Sequence, residues 1–169
     1  MRGDCNGEAW FHDTLRVVPT KRVVIGSDHA GYRLKEALKE HLIQRGIDVI
    51  DEGTFAAEPP VDYPDIGEKV AGVMLTEKIP GVFLGGSGFG EAMAGNKIPG
   101  IRATRCASPE EAQITRKHND ANMLCMGGRM VDPKTATEIL DIFLDTPFEG
   151  GRHVKRLQQL HAMDGYPYA

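Results

Sequence analysis

The sequence predicts an α/β fold: one Rossmann-like, doubly wound domain with a five-stranded parallel sheet flanked by helices. Three observations carry this. Short apolar runs alternate along the chain with segments of helical periodicity, the pattern of strand–helix–strand units. The runs span about four to six residues, the length of strands buried on both faces. Glycine-marked polar residues follow three of the runs, at 27–29, 85–91 and 127–129, where the carboxyl ends of such strands hold ligands.

The elements follow in order. Val23-Val24-Ile25 is the first strand. Leu34, Ala37, Leu38, His41 and Leu42 then recur at helical spacing, and Gly46 ends that helix. Ile47 to Ile50 forms the second strand, and the loop EPPVDYP leads to a helix carrying Ile66, Val70, Ala71 and Met74. Gly81 to Leu84 is the third strand, and the glycine loop after it opens a helix near Glu91. The fourth strand spans Ile101 to Cys106. In Ser108-Pro109-Glu110-Glu111 the next helix has an N-cap, a proline at the first position and a glutamate at the third. Asn122 to Met126 is the fifth strand. Asp132-Pro133 starts a helix with Ala136, Ile139, Leu140, Phe143 and Leu144 on one face. A last helix begins near Gly151 and carries Val154, Leu157 and Leu160.

The chain has 169 residues, enough for one domain with a substantial core. Residues 1–20 read as a loosely ordered extension holding the only tryptophan, Trp10, a candidate to dock elsewhere; 21–160 form the domain and 161–169 a tail. The extension lacks a secretory apolar region, and its acidic residues argue against a transit peptide. A net charge of −4 argues against a general nucleic-acid or anionic-membrane binder. Apolar runs fall short of the roughly 20 residues that span a bilayer. Three cysteines without CxxC spacing fit a reducing, cytoplasmic location, with neither a disulfide framework nor a zinc cluster. The six histidines are scattered, without HExxH or a close pair with cysteine, so no metal is expected.

The stretch GVFLGGSGFGEAMAGNK, residues 81–97, concentrates the chemistry. Glycines at 85, 86, 88 and 90 let backbone N–H groups turn inward toward an anion; the plainer alternative is a tight strand-to-helix turn. Three known phosphate or nucleophile motifs fail. Glu91 stands where GxGxxG requires glycine, Gly95-Asn96-Lys97 is not the Walker GK[ST], and Phe89 takes the last glycine of GxSxG. Glu91 is either a first-turn residue favoured by the helix dipole or a general base beside amide donors. The second arrangement suits proton abstraction next to a carbonyl, with the donors stabilising enediolate oxygens. Asp28-His29 reads as a helix cap with a surface histidine, or as ligand-contacting. His118-Asn119-Asp120 ends the helix from Ser108 or serves the site. Arg152 and Arg156 share a helix face, and with Arg129 they could grip a phosphate or form a solvated basic face.

These segments together resemble ribose-5-phosphate isomerase B and its relatives, including the bacterial galactose-6-phosphate isomerase subunits. The match runs from about Arg22 to Gln159. It is carried by GSDHAGYRLK (26–35), DEGT (51–54), DYPD (62–65), GGSGFGEAMAGNKIPGIRA (85–103), RKHNDANML (116–124), GGRM (127–130) and EGGRHVKR (149–156). The resemblance implies interconversion of ribose 5-phosphate and ribulose 5-phosphate through a cis-enediolate, with no metal or organic cofactor. The same chemistry on a tetrose, allose or galactose phosphate is the alternative; a non-catalytic sugar-phosphate binder is disfavoured because a binder needs no base. By resemblance Asp28 and His29 contact the sugar, His29 near the phosphate. Gly86, Gly88, Phe89 and Gly90 belong to the amide cradle for O1 and O2, and Ser87 assists proton movement. His118 opens the furanose ring, Asn119 holds an enediolate oxygen, and Arg129, Arg152 and Arg156 bind the phosphate. The family forms homodimers or homotetramers with each site built across a subunit interface. Many members carry a cysteine base where this chain has Gly85. A second branch has glycine there and a glutamate six residues on. Gly85 and Glu91 match that branch, which assigns Glu91 as the proton shuttle and leaves Cys106 and Cys125 as core residues on strands.

Overall fold

The computed structural model describes residues 20–165, so Trp10 and most of the expected N-terminal extension lie outside the described residues, as do residues 166–169. Five strands alternate with six helices: β1 Arg22–Ser27, α1 Tyr32–Gln44, β2 Asp48–Asp51, α2 Tyr63–Glu77, β3 Gly81–Gly85, α3 Phe89–Gly95, β4 Ala103–Arg105, α4 Pro109–Asn119, β5 Met123–Gly127, α5 Pro133–Asp145 and α6 Arg152–Asp164. All strand pairings are parallel, in the order β2-β1-β3-β5-β4. The chain moves outward from β1 to β2 and then crosses back to β3. The switch point, where such sheets open a crevice for ligands, therefore lies between β1 and β3.

Side-chain alternation divides the core between the two faces of the sheet. Val23, Ile25, Val82, Leu84, Leu124 and Met126 pack with Leu38 and Leu42 of α1, Ala112 of α4, and Ile139, Leu140 and Phe143 of α5. Val24, Phe83, Met123 and Cys125 pack on the other face with Ile66, Val70 and Met74 of α2. Every residue expected on the inner faces of α2 and α5 is buried. The helix starts obey local chemistry. Ser108 accepts a hydrogen bond from Glu111 N at 3.3 Å, and Asp132 Oδ1 accepts from Lys134 N and Thr135 N at 3.0 and 3.1 Å.

Several expectations need correction. β4 covers only Ala103–Arg105, so Ile101 and Cys106 lie outside it, although both are buried. Asn96 explains the short edge: its side chain donates to Ala103 O and accepts from Ala103 N, both at 2.9 Å. On α1, Ala37 is exposed and Lys35 is buried instead. The Lys35 ammonium is tolerated there because it lies 2.6 Å from the Asp51 carboxylate. On α6 the inward face is His153, Leu157 and His161, while Leu160 is exposed. This helix continues through Asp164, beyond residue 160.

Candidate active site

The switch point brings the tips of β1, β3 and β5 together through backbone contacts. Asp28 N donates to Leu84 O at 3.0 Å, Gly128 N to Gly85 O at 2.8 Å, and Arg129 N to Gly86 O at 3.2 Å. The three glycine-marked stretches therefore share one rim, as the sequence predicts.

Glu91 is the chemical centre of this rim. It occupies the first turn of α3 yet is only 3% exposed, so it is not a solvated helix-start residue. Its side chain folds back beneath the loop onto the end of β3. A Cβ added at Gly85 would overlap Glu91 Oε1 and the carboxyl carbon. The absent side chain at 85 is thus the space that the carboxylate fills. Burial pushes the Glu91 carboxyl above the ordinary glutamate range, and the nearby Asp28 charge adds to this; backbone N–H groups of Glu91 and Gly88 pull the other way. Among the described residues, Glu91 Oε2 is buried without a hydrogen-bond partner. A desolvated carboxyl with one free oxygen, in a ring of backbone amides, is equipped to take up and return a proton.

The loop over this carboxylate depends on Gly88, whose φ of +81° lies in the left-handed region that favours glycine. Ser87 Oγ accepts from Phe89 N at 3.4 Å. Phe89 is half exposed and is faced by the Arg105 guanidinium, 4.7 Å from the ring centroid. Gly90 lies against Tyr63, whose Cζ would be 2.9 Å from an added Cβ. On the β1 side, Asp28 is buried and its Oδ1 accepts from Ala30 N and Gly31 N at 2.8 and 2.9 Å. The carboxylate therefore fixes the turn into α1 and also faces the Glu91 side of the rim. His29 Nδ1 accepts a 3.4 Å hydrogen bond from Val61 N. The exposed Arg129 brings Nη1 to 3.5 Å from where a Cβ on Gly86 would stand. Asp28, His29, Gly86, Ser87, Gly88, Phe89, Gly90, Glu91 and Arg129 thus form one constellation.

His118, Asn119, Arg152 and Arg156 belong to a different place. Asn119 ends α4 just before β5 begins, so it lies at the amino end of the strands. At about 3.3 Å per residue, β5 alone puts roughly 16 Å between that end and the rim. Here Glu149 N donates to Lys117 O at 3.0 Å, bringing the start of α6 against the end of α4. The His118 ring stacks on His153 with centroids 4.4 Å apart and planes within 8°. His118 Nε2 lies 3.7 Å from Glu149 Oε2. Burial lowers the His153 pKa, and His118 and Arg152 add to this while Glu149 opposes it. Arg102 ties the region down by donating to Asp120 O at 2.7 Å. The sequence reading placed Arg129 with Arg152 and Arg156; within one chain they occupy opposite ends of the sheet.

Tyr63, Arg105 and His153 line these two clusters and went unassigned in the sequence. Tyr63 stands inside the DYPD motif and could have been singled out. His153 is adjacent to Arg152, but only the fold reveals that it stacks on His118. The two cysteines among the described residues are poor candidates for a base. Burial raises the Cys106 pKa to about 12, and the Cys125 thiol is raised well above its ordinary value, again chiefly by burial.

Comparison with known proteins identifies the family and agrees with the fold. The Ribose/Galactose Isomerase family model matches residues 23–160. Ribose-5-phosphate isomerase B of Escherichia coli is 39% identical over 145 residues, covering 85% of this chain and 97% of its own. The solved ribose-5-phosphate isomerase B of Clostridium thermocellum superposes with a TM-score of 0.83 at 42% identity, covering 85% of this chain and 97% of its own. That of Mycoplasma genitalium, solved with bound ribulose 5-phosphate, gives a TM-score of 0.82 at 34% identity, covering 85% and 96%. With a family match over most of its length and relatives of this similarity, the chain belongs to the ribose/galactose isomerase family.

Proposed function

We propose that this protein interconverts ribose 5-phosphate and ribulose 5-phosphate by proton transfer through a cis-enediolate, with Glu91 as the base. The observation that carries the reading is the Glu91 carboxylate seated in the space left by Gly85, beneath the amide loop. His118, acting as acid and base, opens the furanose ring to the free aldehyde. Glu91 then removes the C2 proton, and the electron pair of that bond forms the C1–C2 double bond as charge moves onto O1. The N–H groups of Gly86 to Gly90 hold the two oxygens, with Ser87 assisting proton movement between them. Glu91 returns its proton to C1, and the O2 proton passes to O1, leaving a ketone at C2 and a hydroxyl at C1. A base tuned upward toward neutrality suits both halves of this shuttle better than an ordinary carboxylate.

The separation of the two clusters supports a site shared between copies. One copy supplies the rim with Asp28, His29, Glu91 and Arg129; a second supplies His118, Asn119, Arg152 and Arg156. A two-fold pair makes two such sites by the same contact. The exposed Phe89, Met93 and Met130 beside the rim offer apolar surface for it, at 51%, 67% and 60% exposure. The described residues hold no helix long and apolar enough to cross a membrane, and the free Cys106 and Cys125 among them fit a reducing cytoplasm. Conversion of four-, five- and six-carbon aldose phosphates to ketoses, compared as kcat/KM, tests the substrate. Ribose 5-phosphate should lead the series; a higher value for a four- or six-carbon sugar would reassign it.

A further inference from the structure

Among the described residues, His118, Glu149 and His153 place their donor atoms within 4.8 Å of one another. Two histidines and a glutamate are a ligand set that suits Zn²⁺ and leaves a fourth position for water or another oxygen. A tetrahedral ion with bonds of about 2.0–2.1 Å holds its donors roughly 3.3–3.5 Å apart. The His118 Nε2 to Glu149 Oε2 distance of 3.7 Å is already near that spacing. His118 and Glu149 have side chains 37% and 58% exposed, so they can rotate and an ion can enter from solvent. His153 is only 4% exposed and gives a fixed point. Two features oppose a bound ion: the His118 and His153 rings stack within 8°, so His118 must turn for both nitrogen lone pairs to meet one ion, and Arg152 Nε lies 3.4 Å from His153 Nε2. The partly exposed His118 is free to leave the stack, and the Arg152 contact is long, joins neighbouring residues on α6 and is displaced by a metal bond to the ring.

We propose that His118, Glu149 and His153 form an inhibitory site for a divalent transition-metal ion of the zinc class. Occupancy ties up the His118 imidazole and so blocks the ring-opening step. The inhibition rests on the role proposed for His118; the binding does not. The test uses the full chain, stripped with EDTA and with exposed thiols alkylated. Equilibrium dialysis against micromolar Zn²⁺ should find one ion bound per chain. Even outer partners of a metal-bound histidine are worth about 10–100-fold in affinity, so Glu149→Gln and His153→Gln should each weaken binding at least tenfold. His41→Gln, at a histidine paired elsewhere with Asp141, should leave it unchanged. Glu149 is exposed, so its variant decides the matter if the His153 variant fails to fold. Micromolar Zn²⁺ should also slow wild-type isomerisation reversibly with EDTA, and slow Glu149→Gln much less relative to that variant's zinc-free rate. No zinc retained by the wild type, or undiminished binding in Glu149→Gln, would overturn the site. Tight, Glu149-dependent binding without inhibition would keep the site and remove its inhibitory role.

Discussion

The two ends of the sheet are built on different principles. At the carboxyl rim, backbone packs on backbone: Gly128 N reaches Gly85 O at 2.8 Å and Asp28 N reaches Leu84 O at 3.0 Å. The Glu91 carboxylate there is buried and sits in the space that Gly85 leaves open. At the amino end, His118 stands near the end of α4 and Glu149 in the loop before α6, and both reach toward solvent. The rim gathers the proposed base and its glycine loop within one chain. The amino end holds His118, proposed as the ring-opening acid and base, with the arginines proposed to bind the phosphate on the helix that follows. Under the proposed roles each end supplies what the other lacks, and this is the physical case for proposing a site shared between copies.

The largest effect that would break this contrast lies at Glu91. Glu91→Gln keeps the shape and removes the base, so kcat should fall by about 10²–10⁴ while sugar-phosphate binding persists; near-normal turnover would refute the assignment. Next comes Gly85→Ala. Its methyl group takes the place of the carboxylate oxygen, so Glu91 must move. Turnover should drop by on the order of 100-fold, as expected when a reacting group is displaced by about 1 Å, with a stability loss of about 1–3 kcal/mol from overpacking. Unchanged activity would mean that Glu91 does not work from this seat.

The same burial sets a pH dependence. The Glu91 carboxyl is raised in the folded state, so its ionised form opposes folding above the folded pKa. That penalty disappears as pH falls below the ordinary glutamate value. Glu91→Gln should therefore be more stable than wild type at neutral pH, with the advantage shrinking toward acid. Thermal melts of both proteins from pH 4 to 8 read this directly, and an advantage that grows toward acid would reverse the sign. The smallest expected effect concerns the thiols. With Cys106 and Cys125 buried and protonated, iodoacetamide should leave activity intact. Rapid inactivation prevented by substrate would point to a thiol base.

The sequence carried the fold well wherever hydrophobic periodicity was unambiguous, as in α2 and α5. It misled where a polar residue is buried by a partner distant in the chain. Lys35 turns inward because Asp51 waits at the end of β2. His153 and His161 take the inward face of α6, where Val154 and Leu160 had the apolar pattern. The rim was legible because its residues follow strands directly, and glycine clusters mark such turns. The partition of the site was not, since motif order says nothing about which end of a sheet a helix terminus reaches. Parallel topology separates the two groups: a residue closing the helix before β5 stands a strand's length from one opening the loop after it.

Subunit complementation tests the shared site most directly. Glu91→Gln and His118→Asn chains, each inactive alone, are co-expressed in equal amounts and purified together. If every site combines one copy's rim with another's amino end, chance assortment gives about a quarter of sites an intact Glu91 and an intact His118. The account predicts recovery of about a quarter of wild-type activity. A mixture as inactive as its two parents would contradict it.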